Sequence, residues 1–344
     1  MLTLAKTEAI LGGIALIDKE PREPEGGEIL MRVEAAGICG TDMQIYKWAP
    51  RMARRMKLPT VMGHEASGVV EAVGAGVTRV NPGDAISLES HIYCGECHQC
   101  LTDRAHLCTE TRYPGIDMDG CFARYVVVPE QIAWIHPRPI PHTIAAMFEP
   151  LGIAVHACGE GRGCAGLSIL VNGCGPIGLM AIAVARAMGA ETVIAVDPLA
   201  TRREAAARLG ADLVINPMES AVPTLVRDVT FGRGAEVVME FSGTPEGFSN
   251  AMESLTKGGD FRLVGAPPHP VEIDLTVWLR QCPTVFNVHG RRIWDSWDKL
   301  WALFETGAVD IASIASHHLP LSDAPRGFDL IQRGEALKPI LIPG

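Results

Sequence analysis

Residues 168–178 read Ser-Ile-Leu-Val-Asn-Gly-Cys-Gly-Pro-Ile-Gly, and this stretch decides the fold of half of the chain. Residues 168–172 have the composition of a buried strand, and the next six residues fit the pattern G-x-G-x-x-G. In this pattern Gly173 makes a tight turn, Gly175 lets the backbone approach a pyrophosphate, and Gly178 allows a helix to pack closely on the strand. The helix that follows directs its first amides at the negative charge. The stretch therefore predicts a strand, a phosphate-binding turn and a helix.

Strands and alanine-rich helices alternate on the C-terminal side of this turn. The predicted strands are 168–172, 192–196, 213–215, 236–241 and 261–264, and the predicted helices are 179–188 and 202–209. Such alternation predicts an α/β fold with a doubly wound parallel sheet.

An acidic residue, Asp197, ends the second predicted strand. An acid at this point accepts hydrogen bonds from a ribose diol and repels a 2′-phosphate, which favours NAD over NADP. Arg202 and Arg203 follow closely, and arginines there can contact the ribose or tolerate a phosphate. The alternative is a structural turn with an aspartate that caps a helix.

The first 150 residues have a different pattern of predicted secondary structure. Short strands at 28–34, 66–73 and 85–88 are separated by turn signals such as Asn-Pro-Gly-Asp at 81–84. This pattern predicts an antiparallel, barrel-like domain. A Trp-rich helix at 294–305 leads into mixed segments that we expect to rejoin this domain.

The bulk properties limit the functional classes. A chain of 344 residues exceeds what one core usually supports, so two domains are expected. A net charge of −10 disfavours nucleic acid or an anionic membrane as a partner. The N-terminus lacks the pattern of a secretory signal, and no apolar run reaches membrane length, so we expect a cytoplasmic protein. A basic cluster at 51–57 is either a solvated face or a site for an anionic substrate group.

Four of the ten cysteines, Cys94, Cys97, Cys100 and Cys108, have the spacing C-x₂-C-x₂-C-x₇-C. Four thiolates brought together by tight turns match a closed structural zinc site, with an iron–sulfur cluster as the competing interpretation. Histidines at 98 and 106 are surplus to this set, and we expect both to be exposed in loops.

A second, dispersed group consists of Cys39, His64, Glu65 and Glu149. Each residue alone is weak evidence, because a lone cysteine or histidine is more often a core residue. Mixed Cys/His/Glu ligation that leaves one position open is what a catalytic zinc requires.

Together, these motifs resemble the zinc-containing medium-chain dehydrogenase/reductase family. The segments that carry the resemblance occur in the family's order: Gly-Ile-Cys-Gly-Thr-Asp at 37–42, Gly-His-Glu at 63–65, the four cysteines, Glu-Pro-Leu-Gly-Ile-Ala-Val-His at 149–156 and the glycine turn. The resemblance implies a GroES-like catalytic domain at 1–152, a Rossmann domain at 153–290 and a C-terminal segment, 291–344, that returns to the first domain. It also implies a homotetramer, or else a dimer.

The resemblance also implies roles for individual residues. Cys39, His64 and Glu149 would bind the catalytic zinc, with Glu65 as an alternating or outer ligand. The NAD contacts would be Gly173, Gly175, Pro176, Ile177, Gly178, Asp197, Arg202, Val264, Gly265, Ala266, Val288 and His289.

The implied reaction is oxidation of a secondary alcohol on a small polar substrate, with hydride transfer to NAD. Four segments are most similar to the branch of the family that oxidises L-threonine: 45–48, 90–94, 149–156 and 290–297. A polyol dehydrogenase of the sorbitol type is the alternative, and a non-catalytic NAD-binding protein is a third. In the pocket, His91, Asp117, Asp119 and the basic cluster are candidate substrate contacts.

Proton transfer distinguishes this chain from the family pattern. Thr41 would accept the alcohol proton through its hydroxyl. Its purely structural role would be to cap a helix that begins near Asp42, and both roles can coexist. The family has a histidine three residues later, whereas this chain has Gln44. Glutamine forms hydrogen bonds but does not titrate, so the usual relay is interrupted.

Overall fold

The computed structural model describes residues 1–267 and 269–344, which form two compact units. The first unit comprises Met1–Glu149 and Ala315–Gly344, and the second comprises Pro150–Ile314.

Strands and helices are numbered here in chain order. Up to residue 159 they are β1 (Leu2–Lys6), β2 (Ile14–Asp18), β3 (Glu28–Gly37), α1 (Gly40–Tyr46), α2 (Pro50–Ala53), β4 (Thr60–Val61), β5 (Glu65–Val73), β6 (Ala85–Leu88), α3 (His98–Leu101), β7 (Tyr125–Pro129), β8 (Ala133–Ile135), α4 (His142–Ala145) and α5 (Phe148–Gly159). The second unit continues with β9 (Ser168–Asn172), α6 (Pro176–Ala187), β10 (Thr192–Val196), α7 (Ala200–Arg208), β11 (Leu213–Ile215), α8 (Val222–Val229), β12 (Ala235–Glu240), α9 (Pro245–Ser254), β13 (Leu255–Leu263), α10 (Leu275–Gln281), β14 (Thr284–Asn287) and α11 (Asp295–Glu305). The final elements are β15 (His317–Pro320), α12 (Ala324–Gln332) and β16 (Pro339–Ile342).

The first unit is organised around strand β3. This strand pairs antiparallel with β5, β7 and β16. At its C-terminal end, Gly37 lies opposite Glu65 of β5 and also opposite Ile340 of β16. A shared end of three strands therefore brings the segment after Gly37, the start of β5 and the C-terminal tail to one place.

A six-stranded parallel sheet forms the second unit, with the order β11-β10-β9-β12-β13-β14. This is the strand order of a Rossmann fold, in which ligands bind at the carboxyl ends of the strands. Strand β9 is central and buried along its whole length, as its unbroken apolar sequence predicted. The predicted α/β fold class is confirmed.

Most predicted elements have bounds within a few residues of those observed. The helix predicted at 179–188 begins earlier, at Pro176, because proline is favoured in the first turn of a helix. The strand predicted at 28–34 continues to Gly37. This extension is what carries the chain to the site described below.

Residues 291–314 lie in the second unit, so the chain returns to the first unit later than the predicted boundary at 291. Helix α11 has an apolar face, and its Trp297 and Leu300 are fully buried. The ion pair between Arg292 and Glu160 joins the turn before α11 to the end of α5, which belongs to the same unit. Strand β16 then makes the expected return by pairing with β3.

Within the described part of the chain, no helix combines the length and the apolar character needed to cross a membrane.

A buried polar network in the first unit contains two histidines and two serines. Ser87 Oγ donates to the carbonyl of Ala145 at 2.9 Å, so it accepts from Nε2 of His136, also at 2.9 Å. Ser67 Oγ likewise donates to a backbone carbonyl and lies 2.8 Å from Nδ1 of His142. Burial, reinforced by the charge of His142, lowers the pKa of His136 to about 4. The native state therefore requires a neutral His136.

We expect acid to destabilise this unit through His136. The unfolded histidine titrates near 6.5 and the folded one near 4, so the unfolded state binds more protons between these values and stability falls as pH falls through this window. The difference bounds the effect at roughly 3 kcal/mol. In His136→Gln, whose amide can keep the bond to Ser87, the thermal midpoint should fall less between about pH 7 and about pH 5 than in the wild type. The exposed His318→Gln is the matched control and should retain the wild-type loss, and an equal loss in both variants would contradict the assignment.

Candidate active site and metal centres

Cys39 is placed by the turn between β3 and α1. Its backbone N–H donates to Oδ2 of Asp42 at 2.8 Å, and its sulfur accepts from the backbone N–H of Thr41 at 3.5 Å. These two bonds form a capping box in which Cys39, and not Thr41, is the N-cap. The prediction that Thr41 caps a helix starting near Asp42 is therefore wrong. The helix begins at Gly40, because the cysteine sulfur occupies the place of the usual serine or threonine oxygen.

His64 and Glu65 follow a glycine that the packing requires. Gly63 has a φ of +93°, and a Cβ on it would lie 2.4 Å from the ring of Phe122. His64 is then buried, with Nδ1 at 3.9 Å from Oδ1 of Asp42. The ligand atoms of Cys39, His64 and Glu65 all lie within 4.8 Å of one another.

Glu65 also forms an ion pair with Lys338, which lies just before β16. Both side chains are almost completely buried. The pair fits because residue 37 is glycine: a Cβ there would lie 2.5 Å from Oε2 of Glu65 and 2.8 Å from Cε of Lys338. Burial favours the neutral amine, but the negative charges of Glu65, Cys39 and Glu149 together outweigh burial and raise the pKa of Lys338.

Negative charge is concentrated around His64. Burial alone would lower the pKa of its imidazole, but Cys39, Asp42 and Glu149 raise it to about 10. Glu149, at the start of α5, is buried and also acts on the pKa of Glu65. It is not part of the group whose ligand atoms lie within 4.8 Å. The structure thus brings Cys39, His64 and Glu65 together and leaves Glu149 nearby, so the choice between the two glutamates as zinc ligand stays a prediction.

A divalent cation fits this site on chemical grounds. Among the described residues, Asp42 Oδ1 and His64 Nδ1 are buried without a hydrogen-bond partner, as is Oε1 of Glu65. Buried polar atoms left in this state cost free energy unless an ion or a reoriented ring uses them. Sulfur, imidazole and carboxylate are the donor types that zinc accepts.

The second metal-type cluster is the lobe of four cysteines. The sulfur of Cys100 lies 3.9 Å from that of Cys94 and 3.5 Å from that of Cys97. Four sulfurs at about 2.3 Å from a tetrahedral zinc would be about 3.8 Å apart. Backbone N–H groups of Cys100 and Thr109 stabilise the Cys97 thiolate and lower its pKa to about 6. The geometry therefore matches a closed structural site.

The two histidines of this lobe differ from each other. His98 is exposed, as predicted. His106 is only 8% exposed, so the prediction of an exposed loop side chain is wrong for this residue. It lies in a single 3₁₀ turn that the alternation pattern could not distinguish from a loop.

The glycine turn lies between β9 and α6 as predicted. Gly173 has a φ of +99°, and a Cβ on Gly178 would lie 2.0 Å from the carbonyl oxygen of Gly173. A Cβ on Gly175, the N-cap of α6, would meet nothing within 4 Å. This open space at a helix N-terminus is where a pyrophosphate would fit.

Asp197 lies at the same edge of the sheet as the glycine turn. It is buried at the end of β10, and Oδ2 accepts from the backbone N–H of Cys174 at 2.9 Å. The guanidinium of Arg202 lies 3.5 Å from the same oxygen. Arg203 is occupied elsewhere, because it donates to the carbonyls of Asp197 and Pro198 at 2.9 and 2.7 Å.

The other predicted cofactor contacts follow the last strands of the sheet. The backbone N–H groups of Val264 and Gly265 donate to the carbonyl of Glu240, and the N–H of Val288 donates to that of Leu263. Ala266 and His289 are exposed next to them. These residues therefore occupy the carboxyl ends of β13 and β14.

Glu240 is a residue that the pattern analysis missed. It is buried at the end of β12, where burial raises its pKa, and it accepts from Asn172, Ser242 and Gly243. These bonds hold the turn after β12 against the glycine turn, since a Cβ on Gly173 would lie 2.7 Å from the nitrogen of Ser242. The sequence signal that could have identified Glu240 was an acidic residue near the end of the strand predicted at 236–241.

Three of the charged residues predicted to contact the substrate, Arg55, Asp117 and Asp119, form ion pairs within the protein. Arg55 donates to both carboxylate oxygens of Asp117, at 2.6 and 2.7 Å. Asp119 pairs with Lys19 at 2.5 Å and accepts from the backbone of Val61 at 3.0 Å. Their charges neutralise one another in these pairs, and a contact of Asp117, Asp119 or the basic cluster with the substrate stays a prediction.

His91 is held firmly by a neighbouring acid. Its Nδ1 and its backbone nitrogen lie 2.9 and 3.0 Å from Oε1 of Glu89, and both side chains are buried. The edge of its ring contacts Tyr113, with ring centroids 4.9 Å apart. Glu89 therefore selects the Nδ1–H tautomer of this candidate pocket residue.

One unit with two metal-type clusters and another with a dinucleotide-type turn define a metal-dependent, dinucleotide-linked dehydrogenase. Residues 25–139 match the family described as alcohol dehydrogenase GroES-like domain, and residues 176–306 match the zinc-binding dehydrogenases. The chain is 40% identical to the L-threonine 3-dehydrogenase of Bacillus subtilis (strain 168) over 344 residues, covering 100% of this chain and 99% of that protein.

Solved structures give the same result. Alcohol dehydrogenase TADH from Thermus sp. ATN1 is 32% identical, with a TM-score of 0.91 and coverage of 99% of both chains. A short chain alcohol dehydrogenase from E. coli CFT073, complexed with NADH, is 25% identical, with a TM-score of 0.91 and 99% coverage of both. The chain belongs to the zinc-binding alcohol dehydrogenase family. It is an oxidoreductase whose cofactors are zinc and a nicotinamide dinucleotide, as the motifs predicted.

We expect about two zinc ions per purified chain by elemental mass spectrometry. Cys108→Ser should lower this number to about one and lower the thermal midpoint, because three thiolates close a tetrahedral site poorly. Cys282→Ser, which alters an exposed cysteine outside the lobe, is the matched control and should retain both ions. Two ions in Cys108→Ser would rule out the closed site.

Proposed function

We propose that this chain is an NAD-linked L-threonine 3-dehydrogenase that oxidises the 3-hydroxyl group of the amino acid to a ketone. The observation that carries the proposal is the 40% identity to an L-threonine 3-dehydrogenase along the entire length of both chains. The retained Cys39, His64 and Glu149 argue against a non-catalytic role. Oxidation of a polyol is the alternative activity, and the choice of substrate in the NADH assay distinguishes the two.

The ligand assignment is part of the proposal. Cys39, His64 and Glu149 would hold the catalytic zinc, with Glu65 as the alternating or outer ligand. When bound, zinc would supply the positive charge that lowers the pKa of the substrate hydroxyl, and NAD would supply the hydride acceptor. Asp42 would accept a hydrogen bond from Nδ1 of His64, which orients the imidazole. Lys338 would keep Glu65 charged and turned towards the tail.

Thr41 would receive the alcohol proton. It lies in the first turn of α1, two residues from Cys39, and it is partly exposed. Gln44 lies one turn further on and is exposed, so a proton passed along this helix would reach water without a titrating side chain.

NAD is the proposed cofactor in preference to NADP. The contacts would be Gly173, Gly175, Pro176, Ile177, Gly178, Asp197, Arg202, Val264, Gly265, Ala266, Val288 and His289. The buried carboxylate of Asp197 supports this preference, since it would repel a 2′-phosphate.

A cytoplasmic location belongs to the same proposal. Five of the ten cysteines belong to the two metal-type clusters, and cysteines in such clusters are typical of a reducing compartment. The proposed partner is a small polar alcohol, without nucleic acid or membrane.

The substrate is tested by NADH formation with L-threonine, its stereoisomers, amino alcohols and C4–C6 polyols. L-Threonine should exceed the polyols in kcat/KM by about 10²-fold or more, because a site built for an ammonium and a carboxylate loses those bonds with a polyol. NAD should be preferred to NADP. Turnover of a polyol with threonine inert would establish the alternative, and no turnover of any alcohol would support the non-catalytic one.

Gln44→His should restore a titrating group in the proton path. We expect the pH–rate profile to gain a dependence near the histidine pKa of about 6.5, with activity below pH 8 rising relative to activity at higher pH. Gln44→Asn should leave the profile unchanged. If Gln44→His also leaves it unchanged, residue 44 has no relay role.

We further propose a homotetramer. Strand β14 is an edge strand of the parallel sheet and is largely exposed, and α10 before it exposes Leu275 and Leu279 by 69% and 76%. Light scattering should give about four times 36.9 kDa. Leu279→Glu should lower this mass, whereas Met218→Glu, at an exposed residue of another surface loop, should not. A monomeric wild type would contradict the proposal.

A further inference from the structure

A polar cluster in the second unit joins α5 to the segment that follows β14. His156, in the last turn of α5, is buried. Its Nδ1 lies 2.9 Å from the carbonyl oxygen of Gly290, and its Nε2 lies 3.0 Å from Oε1 of Glu160. Both partners are hydrogen-bond acceptors, and a neutral imidazole has one proton to donate.

The partners of Glu160 decide where that proton belongs. Oε1 already accepts from Arg292, through Nε at 3.0 Å and Nη2 at 2.5 Å. Burial lowers the pKa of His156, so the ring carries a single proton at neutral pH. Because Arg292 satisfies the carboxylate, the proton is better used at Nδ1, where it bonds the carbonyl of Gly290.

The segment held in this way lies at the carboxyl end of the sheet. Val288 and Gly290 are bonded on opposite sides: the N–H of Val288 donates to Leu263 of β13, and the carbonyl of Gly290 accepts from His156 of α5. Gly290 has a φ of +61°, a left-handed conformation that turns the chain away from the strand. Beyond it, the N–H of Arg292 donates to Ser296 Oγ at 3.0 Å, which ties the segment to α11.

The position of this segment relates it to one half of the cofactor. A dinucleotide lies across the carboxyl ends of the strands, with its pyrophosphate at the turn after the central strand. Asp197, at the end of β10, defines the adenosine side of β9. The other half must extend along β12, β13 and β14, which lie on the opposite side of β9.

We propose that His156 is a positioning residue for the nicotinamide half of the cofactor. By holding the carbonyl of Gly290 it places Val288 and His289, against which the nicotinamide end would rest. This inference rests on the proposed dinucleotide-linked function and adds to it a residue that does not contact the cofactor.

Two ligands separate this role from a general structural one. NADH contains both halves of the cofactor, whereas ADP-ribose lacks the nicotinamide ring. Calorimetry should show that His156→Leu weakens NADH binding about 5- to 10-fold, the effect of losing one buried hydrogen bond, while ADP-ribose binds as to the wild type. KM for NAD should rise with it.

Two amide variants test which nitrogen matters. The side-chain nitrogen of Asn can occupy the place of Nδ1, whereas that of Gln reaches the place of Nε2. His156→Asn should therefore retain NADH affinity and His156→Gln should not. This pair keeps the test decisive if the leucine variant fails to fold.

The inference is overturned if the variants bind NADH like the wild type, if they lose NADH and ADP-ribose equally, or if Gln rescues better than Asn. A wild type that binds ADP-ribose and NADH but oxidises no alcohol would refute the proposed reaction while leaving the role of His156 measurable. A wild type that binds neither ligand would refute both.

Discussion

A buried ion pair holds the first unit together. Glu65 begins β5 in the first third of the chain, and Lys338 precedes the last strand, yet both charges are removed from water at the same point. Separating them would leave a buried charge without compensation, which costs about 3–5 kcal/mol. The C-terminal tail must therefore return to β3 and β5, and glycine at position 37 leaves the space in which the pair meets. The closure places the tail beside Glu65, whose carboxylate lies within 4.8 Å of the donor atoms of Cys39 and His64.

The second unit depends on a simpler constraint, the direction of its strands. Six parallel strands place all their carboxyl ends on one edge, so the glycine turn, Asp197 and the segment after β14 converge although they are far apart in sequence. Buried polar side chains then fix the loops at that edge. Glu240 holds the turn after β12, and His156 holds the segment after β14. Both act on the backbone, which is how a loop can be rigid while its own side chains remain available to a ligand.

A feature could be predicted from the sequence when the residues that form it are close together along the chain. Strands β9 and β10 were predicted with their observed bounds because a strand buried on both faces is a continuous apolar run. The four-cysteine lobe was equally accessible, since its ligands lie within 15 residues of one another. Lys338 and Asp42 were not identified as parts of the site, because their roles arise only when distant segments meet. The pairing of Arg55 with Asp117 could not be predicted for the same reason: a charge considered without its partner looks available.

Cys39 has two tasks whose chemical demands conflict. As the N-cap of α1 it offers a sulfur, at 3.5 Å from the nearest amide, where a serine oxygen would bond more strongly. As a soft anionic donor it has no equal among the residues that cap helices well. Folding alone would thus favour serine at this position, and a Cys39→Ser variant would keep its fold, its ion pair and its sheet while losing a ligand of the proposed zinc site. A cysteine at residue 39 is therefore explained by the proposed metal chemistry and not by the needs of the fold.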